Sequence, residues 1–230
     1  MHRIVGLGLL LVGMAVSPAL ADFTAGPYTA SLTFTSDGDP NVVTGLAVSR
    51  FNMPGMTLTG VSVSVLHSGS ATIMGDNDDP FKTCNVEARI VRQFGVTGTE
   101  DATFSAFGTK TITSSPVLLA VDNGDLALFD PNGPDGVNFG SLNYLNQAAI
   151  GSPYARPLAP YIGAGLMHFT VGSLLIVNDQ VFIGPAPDAW QLQVEDPLLT
   201  VVLAVTYTYT PEPTSLSLLA TGLLALVRRR

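Results

Sequence analysis

Residues 60–67 read GVSVSVLH, and this stretch decides the fold class. Val61, Val63 and Val65 fall on one side of an extended chain, with Ser62 and Ser64 on the other. A helix would scatter these valines around its axis, whereas a strand lines them up every second residue. The same alternation recurs at 84–91, CNVEARIV, where Val86, Ala88 and Ile90 oppose Glu87 and Arg89. Residues 166–171, LMHFTV, set Met167, Phe169 and Val171 against His168 and Thr170. Near the two ends of this region, SLTFT at 31–35 and AVTYTYT at 204–210 repeat the pattern. β-Branched and aromatic residues dominate these runs, which favours strands. Turn-forming clusters separate them: SDGDPN, GDNDDP, DNGD, DPNGPDG and IGPAPDA. Many short, half-polar strands with such punctuation predict an all-β, antiparallel β-sandwich, jelly-roll-like, in a single domain, with a closed barrel as the alternative. The stretch from about 130 to 160 lacks the alternation and reads as a long loop with one helical turn.

Outside this region lie two segments of different character. Met1-His2-Arg3 is a short basic start, Ile4 to Val16 is almost wholly apolar, and Ala19 and Ala21 stand at the small-residue positions of a signal-peptidase site. This is the pattern of a signal peptide over 1–21, exported by the Sec machinery. At the other end, Pro211 and Pro213 interrupt regular structure, and residues 216–227 are apolar except for Ser217 and Thr221. As a helix this run reaches about 18 Å, against a hydrocarbon core of about 30 Å. Arg228, Arg229 and Arg230 follow it and would hold the tail on the cytoplasmic side. The expectation is a short C-terminal hydrophobic helix with a transient inner-membrane association, as in anchors whose apolar tail is recognised and then removed.

The chain has 10 basic and 18 acidic residues. Four of the basic ones (Arg3, Arg228, Arg229, Arg230) lie in the end segments, which leaves six against 18, a balance near −12 for the body and motif. Such a surface repels nucleic acid, so no nucleic-acid partner is expected. Cys84 is the only cysteine, which excludes an intramolecular disulfide and C-x-x-C chemistry. Its phase with Val86 points it inward, where a thiol is inert.

Candidate chemistry is sparse. Asp76, Asp78 and Asp79 in GDNDDP, and Asp130, Asn132 and Asp135 in DPNGPDG, are oxygen donors that could serve a calcium ion. Neither loop has the spacing of an EF-hand, and turns need the same residues for their own geometry. No cofactor is expected beyond that calcium. His168 lies opposite Met167 and Phe169 and so should face solvent. His67 keeps the phase of Val65 but precedes Ser68-Gly69, so it is expected at a strand end or turn. Two histidines without a third soft ligand make no zinc site. There is no G-x-S-x-G elbow and no Walker sequence in the body, and no catalytic residue is assigned. Trp190, the only tryptophan, either caps one end of the sandwich or presents its face to a sugar ring.

Two resemblances add to this reading. Pro211-Glu212-Pro213, the apolar run and Arg228–Arg230 resemble the PEP-CTERM sorting signal of Gram-negative bacteria, over residues 211–230. That resemblance implies recognition by an exosortase and delivery to the cell surface or an exopolysaccharide matrix, as in a biofilm. Residues 49–65, SRFNMPGMTLTGVSVSV, and 205–213, VTYTYTPEP, resemble the choice-of-anchor E domain, with Met53 standing between Asn52 and Pro54. That likeness implies a β-rich surface domain over 22–210 with no established activity. The functions considered are a non-catalytic surface or matrix protein, a carbohydrate-binding module (calcium-dependent in one version), and a hydrolase with two carboxylates in a cleft.

Overall fold

The computed structural model describes residues 21–35, 44–124 and 128–212. The signal-peptide core and Ala19, the turn SDGDPN, and the segment carrying Pro213, the apolar run and Arg228–Arg230 lie outside the described residues. Among the described residues there are ten strands: β1 (Phe23–Phe34), β2 (Thr44–Ser49), β3 (Met56–Asp76), β4 (Cys84–Gly98), β5 (Ser105–Thr113), β6 (Val117–Leu119), β7 (Gly136–Ala148), β8 (Tyr154–Ala155), β9 (Leu166–Phe182) and β10 (Gln191–Pro211). One 3-10 turn spans Ala159–Tyr161. Among the described residues, no helix is long and apolar enough to cross a membrane.

The strands form two antiparallel sheets of five, consistent with a β-sandwich. One runs β1-β10-β3-β7 with β8 also on β3; the other runs β2-β9-β4-β5 with β6 also on β4. The alternation read from sequence sets what lies between them. Val61, Val63 and Val65 of β3 and Val201, Leu203 and Val205 of β10 share one apolar cluster with Phe94, Val96, Met167 and Phe169 of the other sheet. Each such side chain removed from water contributes roughly 1.5–3 kcal/mol. Cys84, Val86, Leu119 and Val137 extend the interior to one end, where Phe182 and Trp190 pack against them.

The stretch expected to be a loop contains a 13-residue strand, β7, along with β8 and the 3-10 turn. The alternation of β7 is broken by two register shifts against β3, between Thr72 and Met74 and between His67 and Gly69. Gly140 (φ 71°) and Asn146 (φ 49°) lie at or beside these irregularities. Each added residue turns the following side chains to the opposite face, so a fixed period of two cannot describe the strand.

β3 and β10 are each 21 residues long and lie side by side, from Met56↔Pro211 at one end to Asp76↔Gln191 at the other. Phe23 of β1 pairs with Tyr209, so the first and last described strands meet at the Met56 end. The sandwich thus has a pole where both described termini lie and a far pole crowded with acidic loops.

Candidate functional site

The acidic pole is where the structure gathers most of the singled-out residues. β3 ends at Asp76, the chain turns through 77–83 into β4, and β7 starts at Gly136, opposite Asp76. The two acidic loops, far apart in sequence, are therefore neighbours. The Asp130 amide donates to Asp76 Oδ2 at 2.7 Å, and the Asn77 amide donates to the Asp135 carbonyl at 3.1 Å. Asn77 is fully buried and donates its side-chain amide to the carbonyls of Lys82 (2.8 Å) and Ala120 (2.5 Å).

The carboxylates act mainly as acceptors for loop amides. Asp79 Oδ1 accepts from the amides of Phe81 (2.9 Å) and Lys82 (3.1 Å), while Oδ2 accepts from Asp188 (2.7 Å). The Asp188 amide above all, and then that of Phe81, hold the Asp79 carboxyl below the usual carboxylate range. Asp135 accepts from the Asn123 amide and side chain at 2.7 and 3.1 Å. Asp78 accepts from Gln191 at 3.2 Å, and Asp130 Oδ1 accepts from the Asn132 amide at 3.1 Å. Asn132 itself is exposed at the rim. Asp188, on the third loop of this pole, pairs with Lys82 at 2.6 Å.

Among the described residues, no group of three or more His, Cys, Asp or Glu side chains converges as a metal holder. These bonds let the loops keep their shape unaided, as Asx-type turns do. Millimolar calcium or a chelator should therefore leave the melting temperature within about 1 °C of its value in plain buffer. A rise of several degrees with calcium, measured by differential scanning fluorimetry, would show that the carboxylates exchange amides for the ion.

Trp190 is half-buried at the same pole. Its ring meets Phe182 edge-on, with centroids 5.1 Å apart, and lies over Gly75 so closely that an added Cβ would come within 2.2 Å of it. The indole Nε1 is buried without a hydrogen-bond partner among the described residues. Trp190 thus closes the end of the interior. Cys84 lies beneath the acidic loops, buried as its phase predicts, and burial first, with Asp79 adding to it, pushes the thiol up to about 11. At neutral pH it stays protonated, which suits a packing role rather than a nucleophile.

His168 is exposed, and its ring Nδ1 meets Glu100 Oε1 at 2.7 Å while its amide donates to Glu100 Oε2 at 2.9 Å. Arg50 joins the same carboxylate at 3.1 Å. Burial alone would raise Glu100, but the bonds from His168 outweigh it and hold the carboxyl down at about 2. His67 corrects the sequence reading. It is buried within β3 rather than at a turn, with Nδ1 2.8 Å from the Tyr144 hydroxyl and its ring edge-on to Phe94 and Tyr144.

Sequence reasoning missed two further polar positions. Arg92 is fully buried between the sheets. Its guanidinium donates to the carbonyls of Leu198, Val91, Val177 and Ser70 and to Asn178 Oδ1, all within 3.1 Å. The signal was present, since Arg92 keeps the inward phase of Ile90 and Phe94. At the pole where the termini lie, Asp101 is buried and accepts from Thr103 (2.6 Å), Arg156 (2.8 Å) and Tyr161 (3.1 Å). Burial opposes its charge, but the bonds from Thr103 and Arg156 prevail and lower its carboxyl below the usual range. Only a turn-type TEDAT marked that loop in the sequence.

No family model matches the chain, and no curated protein matches it. Among solved structures, that of infectious bursal disease virus Gx strain aligns over 94% of this chain and 47% of its own, at 10% identity and a TM-score of 0.16. That of the Gt strain aligns over 92% and 46%, at 16% identity and a TM-score of 0.12. The chain spans about half the length of those viral chains. Likenesses this slight say nothing of fold or function.

Proposed function

We propose that this chain is an exported, non-catalytic cell-surface or extracellular-matrix protein of a Gram-negative bacterium. Its body, residues 22–210, is a jelly roll. The sheet orders 1-10-3-7 and 2-9-4-5 support that finer assignment, because β1, β2, β3 and β4 fall in alternate sheets while β1 pairs with β10 and β2 with β9, as a rolled-up pair of Greek keys requires. The observation that carries the function is the order of parts at 211–230: Pro211-Glu212-Pro213, an apolar run, then Arg228–Arg230. An exosortase reads this segment while the apolar run rests in the inner membrane, and Sec exports the chain by residues 1–21.

The fold is compatible with that division of labour. β10 runs up to Pro211, and the Glu212 amide donates to the Gly55 carbonyl at 2.9 Å, so the packed body ends where the motif begins. Amide-bound carboxylates and a buried, protonated thiol support a body that presents surface rather than performs chemistry. Intact-mass measurement on protein from its native host, with cell fractionation, tests the reading. The expected product lacks residues 1–21 and the apolar tail and partitions with the surface or matrix. A mature product that retains Arg228–Arg230 would overturn it.

A further inference from the structure

The outer face of the β1-β10-β3-β7 sheet is almost devoid of charge. Its four strands contain no lysine or arginine, and their only acids are Asp76, Glu195 and Asp196. Asp76 ends β3 at the acidic pole, and Glu195 and Asp196 sit at the β10 irregularity, where Asp196 has φ 50°. Below that irregularity, the outward positions are mostly hydroxyls and small side chains, with Leu66 beside Val202 between them and Leu145 exposed on β7. Thr33, Thr200 and Ser68 form one row across three strands, with the Thr33 and Thr200 hydroxyls 3.1 Å apart. Further along, Ser64 lies beside Ala204 and Ser62 beside Thr206. The other sheet differs, for its outward face carries Glu87, the Arg89–Asp179 ion pair and the His168–Glu100 pair. Among the described residues, charged side chains gather at the acidic pole, on the other sheet and around Asp101 and Arg156 rather than on this strip.

The strip measures roughly 14 Å across its four strands and 33 Å along β10 from Thr200 to Thr210. Its chemistry limits what can lie on it. A charged polymer finds no counter-ion there. A protein partner would look for aromatic, methionine or arginine anchors, and interface cores are depleted in the serine and alanine that this strip offers. Each Ser or Thr hydroxyl both donates and accepts. The matching partner is an extended chain that is itself dense in neutral hydroxyls.

We propose that this face binds a neutral polysaccharide chain lying along the sheet. The proposal rests on the reading of the body as a surface or matrix protein, and it places recognition on the strip rather than on Trp190. Affinity electrophoresis of the 22–212 body, alone and in gels containing hydroxyethylcellulose, dextran or anionic alginate, tests it. Circular dichroism first confirms that this body is folded, and the full chain from the host serves in its place otherwise. At least one neutral polymer should retard the protein, and alginate should not. Ser64→Lys and Thr206→Lys, which put a cation on the strip, should weaken retardation at least fivefold with the melting temperature unchanged. Thr111→Lys, on the outward face of β5, should leave it intact. Absence of retardation by both neutral polymers overturns the proposal, as does equal weakening by Thr111→Lys. So does a strip that instead holds two copies together, seen in sedimentation as a dimer lost in Ser64→Lys. Wild-type protein that reaches the surface in fractionation yet shows no retardation fails this inference alone, whereas protein retained in the cytoplasm fails the export reading.

Discussion

Replacing Arg92 with methionine should lower the melting temperature by about 10 °C, the largest loss expected from one side chain of this body. Arg92 lies wholly between the sheets and donates to Leu198 O and Ser70 O on one and to Val177 O and Asn178 Oδ1 on the other. Apolar replacements of buried ions are sometimes neutral, because removing a pair removes both costs. Here most acceptors are backbone carbonyls, which remain when the guanidinium goes. The Leu198 carbonyl that Arg92 holds stands beside the shift in register between Glu195 and Leu198. A buried carbonyl left unsatisfied costs about 1–3 kcal/mol, so a total near 4 kcal/mol is expected. For a body of this size, 1 kcal/mol corresponds to about 2–4 °C. Arg92→Lys should recover only part of the loss, because a single ammonium cannot reach both sheets as the planar fork does. Thermal melts followed by circular dichroism decide the matter, and an Arg92→Met variant that melts within 2 °C of the wild type refutes the clamp.

Between pH 6.5 and pH 4 the body should lose about 3 kcal/mol of stability through His67 alone. Burial above all, with the nearby Lys110 charge adding to it, lowers His67 from 6.5 to about 4. Its Nε2 is buried without a partner and Nδ1 is taken by the Tyr144 hydroxyl, so the protonated ring gains no acceptor by staying inside. The folded value lies below the unfolded one, so the unfolded chain binds the proton first. The stability is full above pH 6.5, falls as pH drops toward 4 and levels off below that, since one unit corresponds to about 1.4 kcal/mol. The groups facing the ring are Tyr144 from β7, Phe94 from β4 and Lys110 from β5, with Arg92 beyond Gly69. None of these is an acid that would offset the charge. Glu100 acts lower on the scale, because its carboxyl is held at about 2 and its contribution begins to fall only as the pH drops through its ordinary value of 4.5. Urea unfolding at pH 7, 5.5 and 4 should therefore show a slope that His67→Gln flattens. The same slope in that variant would place the acid sensitivity elsewhere.

Why was His67 misread when its neighbours were not? The alternation at 60–67 ran true, and Val61, Val63 and Val65 are all inside. Ser68-Gly69 reads as the end of a strand, yet β3 continues to Asp76. Gly69 is there because two large side chains cross over it. An added Cβ would come within 2.8 Å of the Tyr144 ring and 2.9 Å of Arg92 Cγ. A glycine that makes room for packing and a glycine that makes a turn look alike in one sequence. β7 was lost for a related reason, since its irregularities reset the phase that the other strands keep. Both acidic loops were visible by composition, but their meeting was not. The Asp76–Asp130 contact joins residues 54 positions apart, and only the pairing of β3 with β7 brings them together. Local pattern records which way a side chain faces; strand order determines what it meets there.

The full-length antiparallel pairing of β3 and β10 also fixes how the body stands. Twenty-one residues of strand reach roughly 65 Å, and Glu212 leaves at the foot, bonded to Gly55, while Asp79, Asp135 and Trp190 sit at the summit. Held from its C-terminal side, as proposed, such a body would be a mast rather than a mat. It would then lift a negatively charged crown clear of the attachment point and turn its long uncharged flank sideways.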